Sequence, residues 1–170
     1  MGPLRSSIAP YRVRGNLEMR HVYWGFGSGT LPDSPIGQVV EEILTKNMRF
    51  WLEDGIIKSR PLRHMVATGE SVLESVEATE ALAAGRRLPR LAFLEGVQYV
   101  ERAARELYAL DQRTVDVIEA LALVSETYEA KALGAFLVDS TSQPFPMEVF
   151  PDETSAVAWL KSVTGAGETG

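Results

Sequence analysis

The sequence predicts an α/β fold, a mixed sheet of about five strands in the order β-β-α-β-α-β-α-β-α with helices mainly on one face. Three observations predict it. An Asp54-Gly55 pair separates two apolar runs, short apolar segments alternate with amphipathic ones, and an acidic turn joins the last strand to a helix. Alternating strand and helix patterns are typical of right-handed parallel crossovers, to which a hairpin adds an antiparallel pair.

The hairpin is predicted by Met48-Arg49-Phe50-Trp51-Leu52-Glu53, the turn Asp54-Gly55, and residues 56–60. Asp-Gly between aromatic and β-branched runs is a strong hairpin signal, because both turn residues need positive φ. A helix follows, with Thr68 as its N-cap or with Ser71 and Glu74 as a capping box. It runs to about residue 84 and ends because Gly85 follows.

Residues 90–94 form a short apolar run after Pro89, which is typical of a buried strand. The next helix is the clearest in the chain, because its apolar residues have the i, i+3, i+4, i+7, i+8 spacing. These residues are Val100, Ala103, Ala104, Leu107 and Tyr108. Glu101 with Arg105, and Arg102 with Glu106, are i,i+4 ion pairs, each stabilising the helix by about 0.2–0.5 kcal/mol.

Residues 117–124 are apolar except for Glu119, so periodicity fits a buried strand and a buried helix equally. The helices predicted on both sides favour a strand, because a βαβ unit needs one between them. Thr127 then caps a helix that runs to about residue 138, with Ala130, Leu133 and Leu137 facing inward.

The last strand, residues 147–150, leads to Asp152, which is the expected N-cap of the final helix. The apolar face of this helix is expected to comprise Ala156, Trp159, Leu160 and Val163. If Trp159 is buried as this face implies, its truncation to alanine would cost roughly 3–5 kcal/mol.

Three regions are predicted along the chain. Residues 1–47 are expected to be a loop-rich extension with at most one short helix, over residues 36–44. Residues 25–35 within it are rich in glycine, proline and serine. Residues 48–163 are expected to form the compact domain, and residues 164–170 a flexible tail.

The composition excludes several classes of protein. A net charge of −6 argues against nucleic-acid binding, which requires a basic face. The absence of cysteine removes disulfides and thiolate chemistry. The longest apolar stretch, residues 132–138, is far shorter than the about 20 residues of a membrane span. We therefore expect a soluble, cytoplasmic protein without membrane insertion.

The sequence contains no catalytic, cofactor or metal motif that we can identify. His21 and His64 lack the spacing of metal ligands. The Gly25–Gly29 segment lacks the Lys-Ser/Thr of a phosphate-binding loop, and no Gly-x-Ser-x-Gly elbow exists. The acidic pairs have structural roles available, on a solvated helix face for Glu41-Glu42, in a hairpin turn for Glu53-Asp54 and at a helix cap for Asp152-Glu153. We therefore expect no enzymatic activity, no cofactor and no metal.

Several segments together resemble the sulfate-transporter/anti-sigma-antagonist (STAS) family, especially its actinobacterial STAS-like relatives of unknown role. The resemblance covers about residues 48–163 and consists mostly of core and turn positions. The segments that carry it are Phe50-Trp51-Leu52-Glu53-Asp54-Gly55-Ile56-Ile57, Leu91-Ala92-Phe93-Leu94-Glu95-Gly96-Val97, Ala103-Ala104-Arg105-Glu106, Glu119-Ala120-Leu121-Ala122-Leu123-Val124, Val149-Phe150-Pro151-Asp152 and Ala156-Val157-Ala158-Trp159-Leu160.

The resemblance implies a STAS-like sheet and a non-enzymatic regulatory role through protein–protein contacts. The partner-binding surface it implies is the loop after the third strand and the first helical turn. The residues are Glu95, Val97, Gln98, Tyr99, Glu101 and Arg102. Antagonists of this family carry a phosphorylated serine or threonine there, and residues 95–101 contain neither, so we expect no such switch. The partner is a protein of unknown identity, and a homo-oligomer stays open.

An alternative function is a binding module for a small apolar or anionic ligand, held in a pocket between the sheet and its helices. An enzyme is the third hypothesis, since it would require side chains from distant segments to converge.

Overall fold

A computed structural model of the protein describes residues 11–13, 17–23, 39–140, 142 and 144–165. Among these residues, eight strands form one mixed sheet in the spatial order β1-β2-β3-β4-β5-β7-β9-β10. The strands of this sheet are β1 (Tyr11–Val13), β2 (Leu17–Tyr23), β3 (Val39–Leu44), β4 (Met48–Glu53), β5 (Ile56–Pro61), β7 (Leu88–Phe93), β9 (Ile118–Val124) and β10 (Met147–Phe150). A second, two-stranded sheet pairs β6 (Met65–Ala67) with β8 (Val97–Val100).

The described helices are α1 (Gly69–Ala83), α2 (Arg102–Leu110), α3 (Gln112–Val117), α4 (Tyr128–Ser140) and α5 (Glu153–Val163). From β4 onward, the main-sheet strands and the helices α1, α2, α4 and α5 follow the predicted order β-β-α-β-α-β-α-β-α. The strands β1 to β5 pair antiparallel with their neighbours, whereas β5, β7, β9 and β10 pair parallel. The mixed α/β fold class is therefore confirmed.

Strand β9 is central to the packing, since it pairs with β7 on one side and β10 on the other. Leu121 and Leu123 pack on one face with α4, while Ala120 and Ala122 pack on the other with α5. Helix α1 covers the same face as α4 farther along the sheet, and α2 packs on α1. The helices thus lie mainly on one face, with α5 alone among them on the other.

The hairpin turn adopts the conformation that its sequence predicts. Asp54 has φ 50° and Gly55 has φ 74°, so both turn residues are left-handed. Thr68 is the N-cap of α1, and it exchanges hydrogen bonds with Ser71 as a capping box. Ala84, with φ 49°, and Gly85, with φ 79°, end the helix in the left-handed region.

The predicted helix over residues 36–44 is wrong, because Val39–Leu44 is strand β3. Its apolar residues do not alternate as in a typical strand, but pairing with β2 on one side and β4 on the other satisfies its backbone hydrogen bonds. Ile43 is fully buried in a cluster with Phe50. The start of the compact domain at Met48 stays a prediction. Strand β3, which precedes this residue, is part of the main sheet. The loop-rich residues 25–35 lie outside the described residues, as do residues 166–170 of the predicted tail.

The predicted apolar stripe of α2 is wrong at two positions. Val100 lies in β8, and Ala103 is exposed, whereas Ala104 is fully buried. The helix starts later than predicted because the backbone N–H of Glu101 donates to Ala67 and so continues the small sheet. Of the two predicted ion pairs, the Arg102–Glu106 pair forms, with Nε 2.6 Å from Oε1. The guanidinium of Arg105 instead lies over the ring of Phe136 in α4.

Helix α5 buries less of its apolar face than predicted. Ala156 and Leu160 are fully buried, but Trp159 is half-buried beside Phe150, with ring centroids 5.2 Å apart, and Val163 is exposed. Truncation of Trp159 is therefore expected to cost less than the full-burial range, about 1–3 kcal/mol.

Candidate functional site

The small sheet consists of β6, which leads into α1, and β8, which leads into α2. The two strands run parallel, and the ends of their ladder are closed by two backbone hydrogen bonds. Met65 N–H donates to Gly96 C=O at 2.8 Å, and Glu101 N–H donates to Ala67 C=O at 3.0 Å. The first turns of both helices are thereby held beside each other.

A β-bulge gives the small sheet two different faces. Val66 pairs with Tyr99 and Ala67 with Val100, while Gln98 is the extra residue of β8. Because the bulge shifts the alternation by one residue, Val97 and Val100 both line a cavity. Tyr99 and its partner Val66 lie on the opposite face, where they are 56% and 40% exposed.

The six predicted partner-binding residues fall into two groups. Four of them are exposed, namely Gln98, Tyr99, Glu101 and Arg102. Val97 is partly buried against the cavity. The carboxylate of Glu95 accepts a hydrogen bond from the backbone N–H of Glu126, so it ties two loops at the ends of β7 and β9 together. Their role in partner binding stays a prediction.

Gly96 sets the entry to β8 and is required by the backbone. Its φ is 99°, and an added Cβ would lie 3.3 Å from both the carbonyl oxygen of Arg63 and the Cβ of Pro61. We expect Gly96→Ala to lower the free energy of unfolding by about 1–3 kcal/mol through backbone strain and crowding. Urea unfolding measures this loss.

Gly85→Ala is the matched control for that variant. Gly85 also has positive φ, 79°, but an added Cβ would meet nothing within 4 Å. Its loss should be limited to the left-handed penalty of roughly 1–2 kcal/mol. A Gly85→Ala protein that loses more stability than Gly96→Ala would contradict the close approach of Gly96 to residues 61–63.

A cavity of about 150 Å³ lies between the helix-covered face of the main sheet, α1, α2 and the inner face of the small sheet. Its polar lining residues are Ser59, Ser71, Ser75, Arg90, Arg105 and Tyr108. Its other lining residues are apolar, namely Met48, Met65, Ala67, Val72, Ala92, Phe93, Leu94, Val97, Val100, Ala104, Leu121, Leu123, Leu137 and Met147. The lining therefore contains two cations and no carboxylate.

Arg90, in β7, is the most buried charge of the cavity, with 5% of its surface exposed. Its Nη1 donates to the Tyr108 hydroxyl at 3.0 Å, and its Nη2 lies 3.4 Å from Ser59 Oγ. Within the described part of the chain, its buried Nε has no hydrogen-bond partner. The guanidinium carbon also lies 5.6 Å from the centroid of the Phe50 ring. All of these neighbours are neutral.

Arg105, in α2, brings a second guanidinium to the same cavity. Its Nε is buried and, among the residues that the structure describes, has no hydrogen-bond partner. Its guanidinium carbon lies 4.9 Å from the centroid of the Phe136 ring. Neither arginine forms an ion pair with any described carboxylate, so the site is electropositive and suited to an anion.

The other candidate groups have structural roles or are dispersed. Residues 39–140, 142 and 144–165, with the two short strands before them, contain no cluster of three or more residues suited to hold a metal. His64 is exposed, and His21 lies in β2. Asp152 caps α5, and the backbone N–H of Ser155 lowers the pKa of its carboxyl. No helix in the described ranges is both long and apolar enough to cross a membrane.

One acidic pair differs from the prediction. Glu42 was expected on a solvated helix face, but it lies in β3 and is 8% exposed. Its carboxylate forms an ion pair with Nε of Arg49 in the adjacent strand. Strand pairing with β4 brings the two side chains together, which helical spacing could not show.

The family model of a domain of unknown function (DUF7793) matches residues 50–164. The chain belongs to this family. The DUF7793 domain thus includes α1, α2, the six predicted partner-binding residues and all of the lining residues of the cavity except Met48. No curated protein matches the chain.

Among solved structures, the chain is similar to an uncharacterized protein of the DUF3478 family with a SpoIIAA-like fold, from Shewanella loihica PV-4. The TM-score is 0.49 and the sequence identity 14%, and the match covers 67% of this chain and 93% of that one.

Sequence reasoning missed three residues of the DUF7793 domain that shape the site, Val66, Arg90 and Arg105. Arg90 could have been identified from the sequence. It is a cation in an apolar strand segment that is covered on both faces, so its side chain must be buried on one of them. Arg105 was assigned to an ion pair on the basis of helical spacing alone. Val66 lies in a three-residue strand that no periodicity reveals.

Proposed function

We propose that this domain is a non-enzymatic regulatory module of the STAS-like type that binds a protein partner. Its working surface comprises the outer face of the small sheet and the first turn of α2. The observation that supports it is the exposed pair Tyr99 and Val66, flanked by the charged residues Glu101 and Arg102. An aromatic centre with a polar rim is typical of protein interfaces.

The proposed module works without the phosphorylation switch of sigma-factor antagonists. Residues 95–101 contain no serine or threonine to accept a phosphoryl group. Glu95 supplies a fixed negative charge at this loop, which cannot be switched, and its carboxylate accepts a hydrogen bond from the backbone N–H of Glu126. The actinobacterial affiliation, the cytoplasmic location and the oligomeric state stay predictions.

Lysine substitutions on the outer face test this proposal. Tyr99→Lys and Glu101→Lys are each expected to weaken a purified partner complex at least about tenfold, since central interface residues carry most of the binding energy. The matched control is Val163→Lys, because Val163 is 43% exposed on α5, which packs on the opposite face of the main sheet. If the two surface variants bind every partner recovered from the native host as tightly as Val163→Lys does, the surface assignment fails.

A second candidate function is a small-ligand-binding module, and the cavity favours it. The cavity is lined from α1, α2, the main sheet and the small sheet, as a pocket between sheet and helices requires. Native mass spectrometry of the protein purified from its own host tests this candidate. A retained mass above that of the chain supports it, and a bare chain that binds no member of a small-molecule panel contradicts it.

A further inference from the structure

We propose that the cavity binds a small monocarboxylate with a compact apolar body, with the carboxylate at Arg90 and Arg105; this rests on the second candidate function. Burying an ionised group without a partner of opposite charge costs several kcal/mol. Arg90 is 5% exposed, and the partners that the structure describes are the neutral Tyr108 and Ser59.

The unfilled hydrogen-bonding capacity points to a carboxylate. The Nε of Arg90 is buried and, in the described residues, unpaired, and the neighbouring Nη2 makes only the long 3.4 Å contact with Ser59. A guanidinium presents such N–H groups as a planar fork that matches the two oxygens of a carboxylate. Arg105, which lines the same cavity, brings a second guanidinium with further N–H donors.

The apolar walls and the volume of the cavity determine the polarity and the size of the rest of the ligand. Apart from the arginines, Tyr108 and three serines, the lining residues are apolar, so an anion alone would leave apolar surface unfilled. The volume of about 150 Å³ equals that of an engineered apolar cavity that holds benzene. A body of roughly six carbon atoms beside one carboxylate fits this space.

Titration of the full chain with three probes tests the proposal. Benzoate has both the acid and the apolar body, benzamide has the body without the charge, and acetate has the charge without the body. We expect benzoate to bind at least about tenfold more tightly than either, by calorimetry and by a rise in Tm, because charge-assisted bonds are about twice as strong as neutral ones.

Two variants locate the binding. Arg90→Met removes the buried charge and should fold at least as well as the unmodified protein, since apolar replacements of buried ions are often neutral or stabilising. It should bind benzoate at least about tenfold more weakly, while its affinity for benzamide falls less, because a neutral acceptor loses a weaker hydrogen bond. Arg105→Gln, on a half-buried helix position, should show a smaller loss in the same direction and gives a second reading if Arg90→Met fails to fold.

The outcomes separate this inference from the function on which it rests. Equal affinity for benzoate and benzamide, or unchanged benzoate binding in both variants, overturns the proposal that a carboxylate binds at Arg90 and Arg105. The proposal that the domain binds a small ligand would not be affected by that result. If no probe binds and no mass is retained on the protein from its host, the ligand-binding function itself fails.

Discussion

Replacing both carboxylates around Lys58, in a Glu53→Gln/Glu153→Gln protein, is expected to lower the free energy of unfolding by about 3–5 kcal/mol. The Lys58 side chain is 7% exposed, and its ammonium contacts Glu53 of the hairpin and, at 2.7 Å, Glu153 of α5. The double variant leaves this cation buried without a compensating charge. Chemical denaturation measures the loss.

Lys58→Met is the control, and it should behave differently. Glu53 and Glu153 are 46% and 42% exposed, so water solvates them once the lysine is gone. An apolar chain in the place of Lys58 is therefore expected to change the free energy of unfolding by less than about 1 kcal/mol. A Lys58→Met protein less stable than the double variant would contradict the view that the buried cation dominates this cluster.

The same cluster predicts a pH dependence. The hydrogen bond from Lys58 lowers the pKa of Glu53 below its ordinary 4.5, so its stabilisation is complete above that pH and is lost as the pH falls through the lowered pKa. Burial by itself lowers the pKa of Lys58, but the hydrogen bonds and charges of Glu153 and Glu53 outweigh it and raise the pKa above 10.5. That stabilisation is complete below pH 10.5 and is lost as the pH rises through the raised pKa. Lys58→Met should weaken both dependences.

Phe50→Ala is the second large effect, with an expected loss of about 3–5 kcal/mol in the free energy of unfolding. Phe50 is fully buried between β4 and α1, in a cluster with Ile43, Ile57 and Leu82. Its ring also lies beside the guanidinium of Arg90, so truncation leaves empty space next to a buried charge. Urea unfolding, with the slope m compared between variants, measures the loss.

Phe50→Leu is the matched control, because it keeps a buried apolar side chain and leaves a smaller cavity than alanine does. We expect its loss in the free energy of unfolding to stay below about 1.5 kcal/mol. Similar losses for the alanine and leucine variants would contradict the tight packing of this cluster.

The order of elements from residue 48 onward was predictable because local signals agree with one another. Asp54-Gly55 imposes positive φ, Thr68 and Asp152 cap helices, and residues 117–124 are apolar on both faces. Each signal acts within a few residues, so it can be recognised in the sequence. The strand at 118–124 also needed its neighbours, since periodicity alone fits a helix equally.

The rest of the fold was not predictable because it depends on pairing between distant segments. Strand β3 is specified by the edge of β4, and β6 by β8, some 30 residues later in the chain. The bulge at Gln98 decides which side chains face the cavity, and no local pattern encodes it. Arg90 and Tyr108 meet only because α2 packs over the sheet, so the cavity was expected in general terms but its residues were not.

The NMR resonance of the Arg90 Nε–H reports whether this buried guanidinium binds an acid ligand. In the protein without ligand, its chemical shift should be that of an N–H without a hydrogen bond, since no described group accepts the proton. Saturating benzoate should move the resonance downfield, because a carboxylate accepts a charge-assisted hydrogen bond, and benzamide should move it less. An Arg90 Nε–H resonance that benzoate leaves unmoved would contradict binding of the acid at this residue.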